Sequence, residues 1–279
     1  MSSAKKLVRT FRANKTALIG GLTALVLAGA ALLALWLSPH DPLSHNIIHR
    51  LAAPDNLHLL GTDEYGRDVL SRILWGIRIS LIVGILSVAL GMVLGTTLGL
   101  VAGYRGGITG SLIMRAVDVL LSFPTLLTGI MVVAILGSGM DRLIITIGVV
   151  FTPRFARLAY GPSLAVREME FVDAARVVGA GHFRIITRHI LPNIRDDILV
   201  AATLWLGTAI MIEAGLSFLG LGISPPTPTL GNMIRSGVDR LTLAPWLTIA
   251  PGLAVMIAVL SFNMIGDGLR DITDPKLRN

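Results

Sequence analysis

The chain alternates between long apolar runs and shorter polar stretches. A helix needs about 20 predominantly apolar residues to cross a membrane, because a rise of about 1.5 Å per residue must cover about 30 Å of hydrocarbon. Six runs meet this requirement, and they cover residues 17–37, 79–104, 119–140, 143–163, 198–222 and 246–266. The pattern therefore predicts an all-α membrane protein with six transmembrane helices.

Two of these runs contain charged residues, which are costly in lipid. The fourth carries Arg154 and Arg157, whose side chains must reach the membrane interface or face the protein interior. The fifth contains Glu213. An acid inside a span is a candidate for a transport pathway. We favour a structural carboxylate bonded to a neighbouring helix, because a single acid provides no proton relay.

Composition supports a protein embedded in lipid. Of the 279 residues, 53% are hydrophobic and 15% are charged, whereas an average soluble domain has about 25% charged residues. The mean hydropathy is +0.74. The chain has no cysteine, which excludes disulfides, thiolate nucleophiles and cysteine-bound zinc. The net charge of +7 does not indicate nucleic acid as a partner, because the basic residues are divided among short segments between apolar runs.

Basic residues beside the first run set the expected orientation, since Lys and Arg accumulate on the cytoplasmic side of a membrane. Residues 38–49 contain neither, whereas five precede the first run, namely Lys5, Lys6, Arg9, Arg12 and Lys15. We therefore expect a cytoplasmic N-terminus and, after six crossings, a cytoplasmic C-terminus. The first run has 21 residues, longer than the apolar part of a secretory signal peptide, and is interpreted as an uncleaved anchor.

The predicted organisation follows from these assignments. Residues 1–16 and 268–279 form cytoplasmic tails, residues 17–37 form the first span, and residues 79–267 form a core of five helices. Two connections are too long to be simple turns, and functional residues are expected there. These are the external loop 38–78 and the cytoplasmic loop 164–197.

The external loop ends in a pattern typical of a helix start. Asp68 is a suitable N-cap, and the apolar positions after it recur at helical spacing, which predicts an interfacial helix before the second span. His45 and His49 in this loop have i, i+4 spacing and could ligate one metal ion if they were helical. Loop histidines are usually just solvated, and the sequence has no H-E-x-x-H pattern.

The second run carries a stripe of glycines on one helix face. They are Gly91, Gly95, Gly99 and Gly103, which form three overlapping G-x-x-x-G steps. Such a stripe lets another helix backbone approach closely. We favour helix packing within the subunit over a subunit interface or a sliding surface.

The cytoplasmic loop predicts two short helices with a hinge between them. Residues 168–178 form the first, Gly179 and Gly181 interrupt it, and residues 182–190 form the second, which Pro192 stops.

The second of these helices carries an apolar stripe of Phe183, Ile186 and Ile190 beside Arg184 and Arg188. A surface of this kind suits the groove of a protein or an anionic lipid surface. The small residues at the bend favour a protein partner.

The same loop resembles a known family. It contains Asp173-Ala174-Ala175, three residues, Gly179, eleven residues and then Leu191-Pro192. This spacing resembles the EAA loop of ABC importer permeases, with Asp in place of the usual Glu, which keeps the carboxylate but shortens its side chain by one methylene.

Further stretches resemble the oligopeptide, dipeptide and nickel permease family, and in particular the shorter of its paired membrane subunits. They are residues 12–15, 61–72, 114–124, 217–222 and 262–271. The resemblance thus extends along almost the whole chain.

The resemblance implies a permease with the type I ABC importer fold in a bacterial inner membrane. Such a subunit lies in membrane lipid and works with a homologous membrane subunit, two cytosolic ATPases and an external solute-binding protein. The residues that the resemblance and the loop pattern place at the ATPase contact are Asp173, Ala174, Ala175, Gly179, Phe183, Arg184, Ile186, Leu191 and Pro192. The expected cargo is a small peptide or nickel, and the sequence leaves that choice open.

Nucleotide hydrolysis is expected on another chain. A Walker A loop needs Lys directly after Gly, and none of the four lysines follows a glycine. We therefore expect ATP and Mg²⁺ on the partner ATPases, and we expect this chain to be neither an enzyme nor the holder of a cofactor.

Two other functions are weaker alternatives. A stand-alone secondary transporter or channel would be marked by several intramembrane ionisable groups or by paired broken helices, and the sequence indicates neither. An intramembrane hydrolase needs a base, and none of the six histidines lies in a predicted span. Candidates for the pathway or for structural pairing are Asp118, Glu213, Asn263 and Asp267.

Overall fold

The structure is a computed structural model that describes residues 15–273 of the chain. Within this range the chain consists of helices and loops and has no strand, only an isolated bridge between Thr62 and Asp68. Most of the predicted tails lies outside the described residues, including Lys5, Lys6, Arg9, Arg12 and residues 274–279.

Eleven α-helices are present in the described range. They are α1 (Lys15–Leu32), α2 (Ala34–Leu37), α3 (Val69–Arg105), α4 (Gly107–Leu121), α5 (Thr125–Leu136), α6 (Met140–Arg167), α7 (Glu170–Val177), α8 (His182–Ile185), α9 (Leu191–Phe218), α10 (Leu230–Val238) and α11 (Trp246–Thr273). A 3-10 turn covers Ile47–His49, and a π turn covers Ile186–Ile190.

Five helices are long and apolar enough to cross a membrane, and a bent pair can provide a sixth crossing. The five are α1, α3, α6, the continuous helix formed by α8, the π turn and α9, and α11. The pair is α4 and α5, which meet at an angle of 97°. The predicted all-helical membrane fold is confirmed.

The third predicted span, residues 119–140, is wrong as a single helix. Its residues are divided between the end of α4 and α5, and α5 alone has 12 residues, which rise only about 18 Å. The break lies at Pro124, which has no N–H to continue a helix and which disfavours helical backbone at Phe123. A third crossing therefore needs both helices of the bent pair.

The predicted separate interfacial helix is also wrong, because α3 continues without a break from Val69 to Arg105. Asp68 is the N-cap, as predicted, and its Oδ2 accepts the backbone N–H of Ser71 at 2.8 Å. The 37 residues of α3 rise about 56 Å. The helix therefore extends beyond the hydrocarbon core.

The helix through the fifth span starts earlier and ends earlier than predicted. It is continuous from His182 to Phe218, so Pro192 does not stop it. A proline ring crowds the carbonyl four residues before it, and the wider π turn just ahead of Pro192 relieves that crowding. At the other end, Gly220 has φ 81°, and the N–H of Leu221 donates to the C=O of Leu216 at 2.9 Å. This bond ends the helix.

The last two helices differ from the prediction in number and length. α10 is not predicted from the sequence, and it begins where the Thr229 side chain accepts the N–H of Asn232 at 3.2 Å. α11 continues through the predicted tail boundary at residue 268 to Thr273.

The glycine stripe packs α3 against α6. All four glycines face that helix, and a Cβ added to Gly91 would lie 2.9 Å from the carbonyl oxygen of Gly148. A Cβ added to Gly95 would lie 2.6 Å from the Cβ of Phe155. Both distances are far below van der Waals contact, so this approach of the two helices requires glycine. The stripe is therefore a contact within the subunit.

Both arginines of the fourth span bind the bent pair. Arg154 Nη2 donates to Thr125 Oγ1 at 2.5 Å, and Arg157 forms an ion pair with Asp118 of α4. These contacts attach α4 and α5 to α6 and give each charge a polar partner, as the cost of charge in lipid demands.

Replacing Gly95 with alanine tests the α3–α6 contact. A methyl group there would collide with the backbone of α6 at Thr152 and Ala156, and overpacking of this kind costs about 1–3 kcal/mol. We expect Gly95→Ala to lower the thermal unfolding temperature of the detergent-purified protein.

The matched control is Gly29→Ala, because a Cβ on Gly29 of α1 meets no atom within 4 Å and the next residue is not a proline. That change should leave the unfolding temperature unchanged or raise it slightly, since alanine favours a helix by about 1 kcal/mol over glycine. Equal effects of the two substitutions would contradict the packing argument.

Candidate functional site

The segment 164–197 forms a bent helical structure at the end of α3 that is remote from Asp68. It contains the last turn of α6, the short helix α7, a turn at residues 178–181 and the start of the continuous helix from His182. The two helices joined by a glycine turn were predicted from the sequence. The second helix is not short, because it continues from His182 to Phe218.

Gly179 closes α7 by a Schellman motif. The N–H of Ala180 donates to the C=O of Ala175 at 2.9 Å, and the N–H of Gly179 donates to the C=O of Arg176 at 2.9 Å. Gly179 has φ 84°, a backbone conformation that side chains with a Cβ adopt only at a cost. At the predicted hinge the structure therefore has a turn closed by two hydrogen bonds.

Apolar side chains anchor this segment to the main core of the protein. Val172 of α7 is fully buried, and Ile185 and Ile190 beyond the turn are almost completely buried in the same cluster. That cluster also contains Tyr104, at the end of α3. A force applied to α7 would thus pass directly into the packed helices.

Polar contacts hold the same segment to α3. Tyr104 Oη lies 2.7 Å from His182 Nδ1, and the guanidinium of Arg176 lies over the Tyr104 ring at 5.8 Å. Arg167 donates from Nη1 to the carbonyl oxygens of Gly103 and Tyr104, at 3.3 Å each. These bonds bind the last carbonyls of α3, which would otherwise lack helical partners.

A group of apolar side chains on this segment stays exposed. We call it the exposed patch, and its members are Met169, Phe171, Val177, Val178 and Phe183. The last three are 88%, 85% and 81% exposed, respectively. In a segment that the sequence predicts to lie outside the membrane, exposed apolar side chains favour an interaction surface. The patch is therefore the candidate functional site of the chain.

The predicted apolar stripe is only partly right. Phe183 is exposed, but Ile186 is half-buried against the core and Ile190 is fully buried. They turn inward because the π turn and α9 continue the helix into the bundle. Val177 and Val178 were missed from the sequence, although two adjacent β-branched residues before a helix-ending glycine are a usable signal.

The remaining motif residues of this segment lie around the patch. Asp173 accepts a hydrogen bond from Arg176 at 2.7 Å, and both side chains are largely exposed. The others are Ala174, Arg184 and Pro192, which are exposed, and Ala175 and Leu191, which are half-buried.

The four polar candidates for the pathway do not share one site. Asp118 is paired with Arg157, Asn263 Oδ1 lies against Gly207 where α11 meets α9, and Asp267 is exposed without an ion pair to any described residue. Glu213 is fully buried. Its two carboxylate oxygens accept hydrogen bonds from Ser80 Oγ at 2.6 Å and Ser217 Oγ at 2.8 Å, so it connects α9 to α3.

The loop 38–68 lies at the opposite end of α3. His45 precedes the 3-10 turn Ile47–His49 and packs edge-on against Tyr65, with ring centroids 5.5 Å apart. The α-helical spacing that would bring His45 and His49 to one ion is therefore not formed.

Backbone and ionic contacts order this loop. The N–H of His58 donates to Asp55 Oδ1 at 2.6 Å and thereby lowers the pKa of that carboxyl. Glu64 pairs with Arg240 at 2.7 Å, which joins the loop to the turn between α10 and α11. The loop is thus fixed on the helical bundle.

Comparison with known proteins places this architecture in a family. Residues 95–279 match the family of binding-protein-dependent transport system inner membrane components, and residues 2–54 match the N-terminal transmembrane domain of oligopeptide transport permease C. Together these matches cover both the first span and the segment with the exposed patch.

Curated relatives match along the full length of the chain. The glutathione transport system permease protein GsiD of Pectobacterium atrosepticum is 44% identical over 97% of this chain and 90% of that protein. The di/tripeptide transport system permease protein DppC of Pseudomonas aeruginosa is 41% identical over 100% of this chain and 94% of that protein.

A solved structure shares the fold. A chain of the MetNI methionine ABC transporter, in inward-facing conformations, matches with a TM-score of 0.58 at 20% identity, over 73% of this chain and 97% of that one. The chain described here has the type I ABC importer permease fold and belongs to the family of binding-protein-dependent transport system inner membrane components.

Proposed function

We propose that this chain is one of two homologous membrane subunits of an ATP-driven importer for small peptides. It forms half of the pathway, receives cargo from an external solute-binding protein, and takes its driving force from two cytosolic ATPases that hold ATP and Mg²⁺. The exposed patch on an anchored helix, at a site where the sequence resembles an ATPase-docking loop, carries this proposal.

The physical requirement on the ATPase contact is rigidity. Switching a two-state transporter from 1:99 to 99:1 takes about 5.5 kcal/mol of differential binding, and a loose contact would dissipate it. Val172 is buried beneath α7, and the turn at Gly179 is closed by two hydrogen bonds. These features support a stiff connection between an ATPase at the exposed patch and helices α3 and α9.

Small peptides are the proposed cargo because the relatives named above carry glutathione or di- and tripeptides. The assembled transporter, reconstituted in proteoliposomes with its partner subunits, should take up a radiolabelled dipeptide only when ATP is supplied. Uptake of nickel ions with no uptake of the dipeptide would contradict the proposal that the cargo is a small peptide. Dipeptide uptake by this chain alone, without ATP, would contradict the proposal that the chain is a subunit of an ATP-driven importer.

The proposed orientation places the 164–197 segment and both termini in the cytoplasm of a bacterial cell, and the loop 38–68 outside the inner membrane. The chain has no cysteine, so a single introduced cysteine shows on which side of the membrane its position lies. Ile48 and Val178, 92% and 85% exposed, lie near opposite ends of the bundle. In intact spheroplasts that express this chain without the ATPases, a membrane-impermeant maleimide should label Ile48→Cys, and should label Val178→Cys only after the membrane is solubilised. The reverse pattern would contradict this orientation.

Substitution of Gly179 tests the role of the turn in coupling. A β-branched residue at φ 84° costs about 1–3 kcal/mol, which shifts the turn away from its closed form. We expect Gly179→Val to reduce ATP-driven uptake by about fivefold or more in proteoliposomes while ATP hydrolysis persists, because each 1.4 kcal/mol changes a rate about tenfold.

Gly181→Val is the matched control. Gly181 has φ −68° and, like Gly179, no atom within 4 Å of an added Cβ, so valine fits there without strain. If Gly179→Val transports as well as Gly181→Val at equal membrane levels, the turn does not transmit force.

A further inference from the structure

Three potential metal ligands converge at the start of α3, at the end of the bundle remote from the exposed patch. They are His40, His58 and Asp68, and one ligand atom from each lies within 4.8 Å of the others. His58 Nδ1 is 3.0 Å from Asp68 Oδ1, and His40 Nδ1 is 3.7 Å from the same oxygen. The two imidazole rings are 4.6 Å apart.

The two oxygens of Asp68 have separate roles. Oδ2 accepts hydrogen bonds from the backbone N–H and the Oγ of Ser71, at 2.8 and 2.7 Å. These bonds fix the carboxylate, which is almost completely buried. Oδ1 faces the two histidines. A carboxylate oriented in this way by outer contacts is typical of a metal ligand.

A hydrogen bond between His58 and Asp68 alone does not explain the position of His40. Its side chain is 39% exposed, but its Nδ1 atom is buried and has no hydrogen-bond partner among the described residues. A buried polar atom without a partner costs about 1–3 kcal/mol. The backbone N–H of His40 donates to Ser71 Oγ at 3.1 Å, so this residue is held with its free nitrogen toward Asp68.

The separations suit a small divalent cation. In tetrahedral zinc sites, bonds of about 2.0–2.2 Å to nitrogen and oxygen place the ligand atoms roughly 3.3 Å apart. The two distances to Asp68 Oδ1 lie on either side of this value. Bringing the two histidine nitrogens together needs a movement of at most about 1.5 Å.

The surrounding charges do not compete for Asp68. Arg67 Nε lies 2.7 Å from Asp63 Oδ2, and Arg72 Nε lies 3.5 Å from the same oxygen. Asp63 thus takes the nearby arginines, and among the described residues Asp68 has only histidines as ionic partners. The carboxylate stays available to a cation.

We propose that His40, His58 and Asp68 bind a divalent transition metal ion of the Zn²⁺ type, with a solvent molecule in the fourth position. Two imidazoles and one carboxylate are a ligand set that zinc commonly takes. The ion joins the beginning of the loop 38–68, at His40, to its middle, at His58, and to the N-cap of α3, at Asp68. It lies at the end of the bundle remote from the exposed patch.

Zinc titration of the chelator-treated transporter, assembled with its partner subunits, tests the site. The wild-type assembly should bind one Zn²⁺ per copy of this chain. The His40→Gln assembly should bind that ion at least about tenfold more weakly, because even changes outside the direct ligands cost 10–100-fold in metal affinity. His40 is partly exposed, so this variant should fold. Zinc X-ray absorption should show nitrogen and oxygen ligands in wild type only.

Two further variants complete the test. Asp68→Asn keeps a side-chain oxygen for the helix cap but places an amide nitrogen on the other side, and it should lose the same Zn²⁺. His45→Gln, in the same loop but packed on Tyr65, should bind Zn²⁺ as wild type does. Equal zinc binding by wild type and His40→Gln, or an equal loss in His45→Gln, would overturn the proposal.

Discussion

The contact between α3 and α6 is the constraint on which the rest of the molecule depends. Four glycines on α3 allow the backbone of α6 to approach so closely that a methyl group at Gly91 or Gly95 would overlap it. In lipid, where apolar side chains gain little by leaving their solvent, such close packing is a main source of helix association. Because α3 is a single 37-residue helix, this contact also fixes the relative position of its two ends. One end contacts the segment with the exposed patch, and the other end carries the proposed metal site.

At one end, α3 receives the bent segment with the exposed patch. Arg167 and His182 bind the last turn of α3, and Val172 packs into the same core as Tyr104. At the other end, Asp68 both caps α3 and faces two histidines. The buried Glu213, hydrogen-bonded to Ser80, connects α9 to the middle of α3. One helix therefore joins the proposed ATPase contact, a buried polar link and the proposed metal site.

The sequence predicts what depends on composition and local turn chemistry. The apolar runs identify the membrane helices, Asp68 is recognised as an N-cap, and Gly179 is recognised as the end of α7. It does not predict features that depend on distant residues. The local preference of proline predicts that a helix ends at Pro192, but a π turn before this residue lets the helix continue. His40, His58 and Asp68 lie 10 to 28 residues apart along the chain and meet only when the loop folds onto α3, whereas the α-helical arrangement that would bring His45 and His49 together is not formed.

The central claim is that an ATPase binds the exposed patch. Since the chain has no native cysteine, Val178→Cys can be paired with single cysteines in the groove of the partner ATPase and oxidised in the assembled transporter. The account predicts a disulfide cross-link that stops ATP-driven dipeptide uptake and is reversed by reduction, with no such cross-link from Ile48→Cys. A patch that cross-links to no ATPase residue, or that cross-links instead to the solute-binding protein, would contradict it.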